Sequence, residues 1–96
     1  MKKGNYMLKN VMETVVNEKL DEFWSKMDTC KCSKCKSDVL AYALNQLPAK
    51  YVVTNDGELY AKLSLLTKEH EFSITIALAK SIKLVNDNPK HINNNV

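Results

Sequence analysis

Asp28-Thr29-Cys30-Lys31-Cys32-Ser33-Lys34-Cys35-Lys36 divides the chain. Its thiols are its only apolar groups, and it interrupts an otherwise regular helical pattern. The spacing is C-x-C-x2-C. Zinc takes four tetrahedral ligands at about 2.0–2.3 Å, and thiolates one or two residues apart can curl round such an ion. Lys31, Lys34 and Lys36 are interleaved with the thiols and favour their anionic form. The following helix N-terminus acts in the same direction. A redox Cys32–Cys35 pair, metal-free structural cysteines and a Cu(I) site are alternatives. The βαβ pattern that usually accompanies a redox Cys-x-x-Cys is missing.

The fourth ligand stays open at this point. The sequence has 3 cysteines, so a fourth thiol does not exist and a closed set of intrachain disulfides is excluded. His91 lies beyond the last helix and could fold back. His70 falls on an apolar helical stripe and reads as a half-buried histidine with one hydrogen bond. Asp28 and Asp38 flank the loop. Water or a residue of another chain would also serve.

Working outward, a helix is expected on the N-terminal side, from about Tyr6 to Met27. Leu8, Val11, Met12, Val15, Val16, Leu20, Phe23, Trp24 and Met27 follow the three-and-four spacing of one stripe. Asn5 or Asn10 would cap it, and Lys9–Glu13 and Glu22–Lys26 are i,i+4 pairs on its wet side. On the other side a shorter helix is capped by Ser37 or Asp38. It buries Val39, Leu40, Ala43, Leu44 and Leu47, and Pro48 stops it.

Pro48 to Gly57 is a connector. Tyr51-Val52-Val53-Thr54 is extended, and Asn55-Asp56-Gly57 is a turn signal. An extended segment entering a helix fits better than a hairpin of 51–54 with 58–61. The last element reads as one long helix from about Glu58 to Asn86. Leu59, Leu63, Leu66, His70, Ile74, Ala77, Leu78, Ser81, Ile82 and Val85 form its stripe. Thr67 could split it by capping a fresh start. Asp87-Asn88-Pro89 ends it, and the Asn-rich tail 90–96 reads as loose.

The expected fold class is therefore all-α: residues 1–96 as a single helical domain, a Cys-rich zinc loop between helices 1 and 2, and a long C-terminal helix. Phe72, Ile76 and Leu84 lie off the main stripe of that helix. A homodimer that packs the two long helices together is the economical way to cover them.

Length and composition agree. At 96 residues and 45% hydrophobic content the chain is one ordinary globular domain. So short a chain buries only about 60–68% of its unfolded surface, and a metal or a partner subunit would offset that deficit. The net charge is +3, and all 14 cations are lysine. The absence of arginine weakens sequence-specific DNA reading, which relies on bidentate guanidinium contacts. No run reaches the ~18 apolar residues of a membrane span, and no signal core follows the first lysines. A cytoplasmic protein without membrane contact is expected.

The run Cys30-x-Cys32-x2-Cys35-x2-Asp38-Val39-Leu40-Ala41, then Leu44-Asn45, Pro48-x-x-Tyr51-Val52, Tyr60-x-Lys62 and Asn88-Pro89 resembles the late competence development protein ComFB family over nearly the whole chain. The resemblance implies a small all-helical homodimer with a structural zinc on Cys30, Cys32 and Cys35. The family's further cysteine, after the final helix, has no counterpart here. That makes His91, in the corresponding region, the candidate fourth ligand.

Some members of that family are cyclic dinucleotide receptors. The resemblance points to the connector, where Lys50 would pair with phosphate, Tyr51 or Tyr60 would stack on a purine, and Thr54 would donate a hydrogen bond. Cyclic di-GMP and cyclic di-AMP are the ligands implied. The competing view makes the segment a structural connector with Tyr51 packed on the core. In function, a non-enzymatic regulatory or adaptor dimer is expected. The alternatives are a nucleic-acid-binding accessory protein of competence or DNA uptake, and a zinc hydrolase or redox enzyme.

Overall fold

The computed structural model describes residues 6–26 and 32–87. Its elements run β1 (Lys9–Asn10), α1 (Val11–Trp24), α2 (Ser33–Asn45), β2 (Tyr51–Val52), α3 (Asn55–Ser64) and α4 (Lys68–Asp87). The helical class expected from the sequence is observed. A two-stranded antiparallel ribbon is added to it, with Lys9 opposite Val52 and Asn10 opposite Tyr51.

α1 begins later than the apolar stripe suggests. Leu8 is 70% exposed and precedes the helix, because residues 9 and 10 are extended to pair with β2. Asn10 is the cap: its Oδ1 accepts the Met12 N–H at 3.1 Å. The remaining stripe behaves as its spacing dictates, with Val11, Met12, Val16 and Leu20 buried. Lys9, being in a strand, does not pair with Glu13 but reaches Glu58 on α3 at 2.8 Å.

α2 also departs from expectation, starting at Ser33 rather than at Ser37 or Asp38. The cysteine run is therefore partly helical. Val39 and Ala43 are fully buried, and Leu40, Leu44 and Leu47 pack on the core's edge.

The long C-terminal helix is broken. Leu65 closes α3, its N–H reaching the carbonyls of Ala61 and Lys62. Thr67 then opens α4: its Oγ1 accepts the His70 N–H at 3.3 Å. Its carbonyl accepts the Glu71 N–H at 2.9 Å. The break resets the helical phase. Ala61 and Leu65 face inward on α3, while Leu59, Leu63 and Leu66, aligned with the α4 stripe in an unbroken helix, are 57%, 54% and 72% exposed.

α4 is the spine. Ile74, Ala77, Leu78, Ile82 and Val85 pack on Val39 and Ala43 of α2 and on the buried face of α1 in one cluster. Each fully buried aliphatic side chain contributes roughly 1.5–3 kcal/mol. Ser81 is the polar residue buried among them. Its hydroxyl donates to the Ala77 carbonyl at 2.7 Å and accepts from Gln46 Nε2 at 3.2 Å, tying the end of α2 to α4.

Candidate functional site

Two of the expected metal ligands, Cys32 and Cys35, lie within the described residues; Cys30 and His91 lie outside them. Cys32 is the N-cap of α2. Its extended backbone turns the chain into the helix, and its Sγ accepts the Cys35 N–H at 3.3 Å. Cys35 sits in the first turn and is 1% exposed. A sulfur that accepts an amide N–H at a helix N-terminus is favoured as thiolate, because the helix dipole and the donated proton both stabilise negative charge. Two thiols one helical turn apart are what the described residues bring together; among those residues no group of three or more His, Cys, Asp or Glu side chains is placed to hold a metal ion.

Of the lysines interleaved with the thiols, Lys34 and Lys36 lie within the described residues, and both pair with carboxylates. Lys34 donates to both carboxylate oxygens of Asp38, at 2.7 and 2.8 Å. That hydrogen bond chiefly raises the Lys34 ammonium above its ordinary pKa, and the charges of Asp38, Cys35 and Tyr42 act in the same direction against partial burial. Lys36 pairs with Asp21 of α1. These contacts brace the start of α2 against α1 and within itself. They also make Asp38 the partner of an ammonium, which counts against it as a metal ligand. His70 is half-buried, and its Nδ1 lies 2.8 Å from Thr67 Oγ1, as expected of a histidine bonded near its own helix start.

The connector is built around Asn10. Its Oδ1 accepts the Lys50 N–H at 2.8 Å, and the Lys50 carbonyl accepts the Val11 N–H at 2.7 Å. These bonds fix the backbone of Lys50 and leave its side chain exposed. Tyr51 follows in β2 and is 63% exposed, so it does not pack on the core. The reason is the pairing itself: alternation in a strand places Val52 inward and Tyr51 outward. Thr54 caps α3, its Oγ1 accepting the Gly57 N–H at 2.9 Å. Tyr60, on α3, is 72% exposed. The four connector residues therefore divide: Lys50, Tyr51 and Tyr60 offer side chains to solvent, and Thr54 is engaged in capping.

Sequence reasoning missed Asn10 as the residue that locks the connector to α1. An asparagine before an apolar helical run signals a cap, but nothing local signals its second bond, 40 residues away in the chain. It also missed Cys32 as a cap, because cysteine is not among the usual capping residues.

Comparison with known proteins bears on the chain as a whole. The family model described as late competence development protein ComFB matches residues 9–89. Competence protein ComFB of Bacillus subtilis (strain 168) is 32% identical over 87 residues, covering 90% of this chain and 89% of that one. A solved structure, described as the structural characterization of the late competence protein ComFB from Bacillus subtilis, superposes with a TM-score of 0.77. It is 32% identical and covers 90% of this chain and 98% of that one. The cysteine run, the connector and the helices all lie within these matches, and the chain belongs to the late competence development protein ComFB family.

Proposed function

We propose that this protein is a non-catalytic regulatory or adaptor module of the late competence type, a zinc-stabilised helical homodimer whose connector receives a cyclic dinucleotide. The observation that carries the zinc reading is the placement of Cys32 and Cys35 on the first turn of α2, with one sulfur already bonded to the other residue's amide. Cys30 and His91 are the proposed remaining ligands. Zinc there would crosslink the α1–α2 loop, the start of α2 and the segment after α4. A structural zinc contributes about 10–16 kcal/mol of apparent binding free energy in small peptides, as much as a whole domain's stability.

The connector reading is supported by Lys50, Tyr51 and Tyr60 standing exposed on a backbone held rigid by Asn10 and the Thr54 cap. Rigid presentation lowers the ordering cost of binding. An ammonium suits a phosphate as a point charge, and an exposed tyrosine ring suits a purine face. Two such connectors in a dimer would match the two-fold symmetry of the ligand. A ligand that prefers one dimer arrangement would then bias partner binding.

Native mass spectrometry tests the three parts together. The expected spectrum contains a dimer with one zinc per chain, which gains mass on addition of cyclic di-GMP or cyclic di-AMP. Metal-free protein of unchanged melting temperature overturns the zinc reading. Absence of any nucleotide adduct overturns the receptor reading.

A further inference from the structure

The two thiols at the start of α2 differ in access. Cys32, the N-cap, is half-buried, whereas Cys35, in the first turn, is 1% exposed. Neither sulfur is in a disulfide. The Cys32 sulfur stands 3.3 Å from the Cys35 amide nitrogen, which is two bonds from the Cys35 Cβ. One helical turn puts Cα atoms three residues apart about 5 Å from each other, inside the ~4.4–6.8 Å that a disulfide spans. Side-chain rotation therefore closes the bond while the backbone of α2 keeps its place. The turn is held from both sides: Lys34 binds Asp38 one turn on, and Lys36 binds Asp21 of α1. Groups fixed in this way meet at high effective concentration.

A redox Cys-x-x-Cys usually comes with a βαβ pattern, which this chain lacks. What matters locally is a first cysteine at a helix start and a second shielded behind it. α2 provides both without the strands. Exposure then sets the order of events, because a small disulfide reaches Cys32 more readily than Cys35.

We infer that Cys32 and Cys35 form a redox modification site, closed to an intrachain disulfide by exchange with a low-molecular-weight disulfide. The Cys32 sulfur gives its proton to water and attacks one sulfur of the reagent. A mixed disulfide forms, and the other half of the reagent leaves as a thiol. The Cys35 sulfur then attacks the Cys32 sulfur, makes the Cys32–Cys35 bond and displaces the second half as a thiol. The chain gives up two electrons and two protons, and the reagent's S–S bond becomes two thiols. Zinc and this disulfide would use the same sulfurs, so each excludes the other. The disulfide stands on the geometry of α2; the exclusion rests on the zinc reading above.

Mass spectrometry of the full chain tests it, with circular dichroism as the folding control. Chelator-stripped protein is incubated with oxidised glutathione, acid-quenched, alkylated and digested. Trypsin cuts after Lys31, Lys34 and Lys36, so Cys32-Ser33-Lys34 and Cys35-Lys36 stay joined only through the disulfide, and Cys30 leaves in another fragment. The joined pair is expected, with Cys30 alkylated and full reversal by reductant. Cys30→Ser should give the same joined pair. Cys32→Ser should leave Cys35 without glutathione, and Cys35→Ser should stop at glutathione on Cys32. Urea-unfolded chain should close more slowly and scatter its linkages among the cysteines. With zinc in excess the joined pair should be lost, and it should return on chelation. No joined pair in chelated protein, linkage of Cys30 in its place, glutathione on Cys35 of folded Cys32→Ser, or equal closure in urea each overturns the inference whatever zinc does. Equal yields with and without zinc overturn the zinc reading of these sulfurs and leave the disulfide standing. The Cys30→Ser and urea arms keep the test decisive even where Cys35→Ser fails to fold.

Discussion

The Lys50 amide donates to Asn10 Oδ1 at 2.8 Å, and the same oxygen accepts the Met12 N–H at 3.1 Å. One side-chain atom thus caps α1 and fastens the connector to it. Asn10→Ala removes both acceptor contacts. A lost cap alone costs about 0.5–2 kcal/mol, and the Lys50 N–H loses its partner besides. We expect Asn10→Ala to destabilise by about 1–3 kcal/mol in denaturant unfolding, and Asn10→Asp, which keeps the acceptor, to recover most of it.

Glu58 joins three elements. Its carboxylate accepts from Lys9 of β1 at 2.8 Å and lies 3.9 Å from Lys62, which also reaches Glu18 of α1. The Lys9 hydrogen bond first, then the charges of Lys9 and Lys62, hold the Glu58 carboxyl below its ordinary pKa against partial burial. A carboxyl lowered on folding contributes stability above its unfolded pKa, about 4.3, and loses it as pH falls through the lowered folded value. The stability gap between wild type and Glu58→Gln is therefore expected to be constant from neutral pH down to that unfolded value and to close below it. Parallel urea titrations at several pH values measure this.

Gly57 occupies the first turn of α3 beneath the Thr54 cap. A Cβ there would lie 3.1 Å from Thr54 Oγ1 and 3.4 Å from Val52 Cβ. The hydroxyl cannot retreat without giving up its 2.9 Å bond to the Gly57 amide. Gly57→Ala is thus expected to forfeit the ~1 kcal/mol that alanine normally gains over glycine in a helix. The variant should be no more stable than wild type in thermal unfolding.

Helices that pack on a core through one face were legible in the sequence. Val11, Met12, Val16 and Leu20 of α1, and Ile74, Ala77, Leu78, Ser81, Ile82 and Val85 of α4, are buried as their spacing implies. Phe72, Ile76 and Leu84 stand off that stripe and are exposed. What hydrophobic spacing does not carry is phase across a break. Leu59, Leu63 and Leu66 continue the α4 stripe numerically, but two unwound residues before Thr67 rotate them to solvent. Long-range backbone pairing is equally silent. Residues 9 and 10 read as helix until Val52 and Tyr51 of β2, far along the chain, offer them a ladder. At the site, the types and spacing of Cys32 and Cys35 were legible, but the capping bond between them depended on where α2 begins.

The break makes a sharp mutational contrast. Leu78 is 0% exposed in the central cluster and Leu66 is 72% exposed, although one stripe contains both in sequence. Leu78→Ala should cost about 2–5 kcal/mol through lost burial and the cavity left behind. Leu66→Ala should stay within about 0.5 kcal/mol. Equal costs for the two in chemical denaturation would mean that α3 and α4 form one continuous helix.

Cys32 and Cys35 separate structural from metal chemistry by substitution. Serine is a better N-cap than most residues, so in metal-free protein Cys32→Ser keeps an acceptor for the Cys35 amide at the start of α2. It is expected to match or slightly exceed the wild type in melting temperature when both are stripped by chelator. Cys35→Ser instead places a hydroxyl where a 1%-exposed thiol packs, and it should destabilise even without metal. With zinc restored the order of the first pair reverses: the wild type gains stability, and Cys32→Ser, short of one proposed ligand, gains much less. Melting curves with and without chelator, read against zinc content per chain, distinguish the cases. A Cys32→Ser variant that rises as far with zinc as the wild type removes this sulfur from the metal site and leaves it a cap alone.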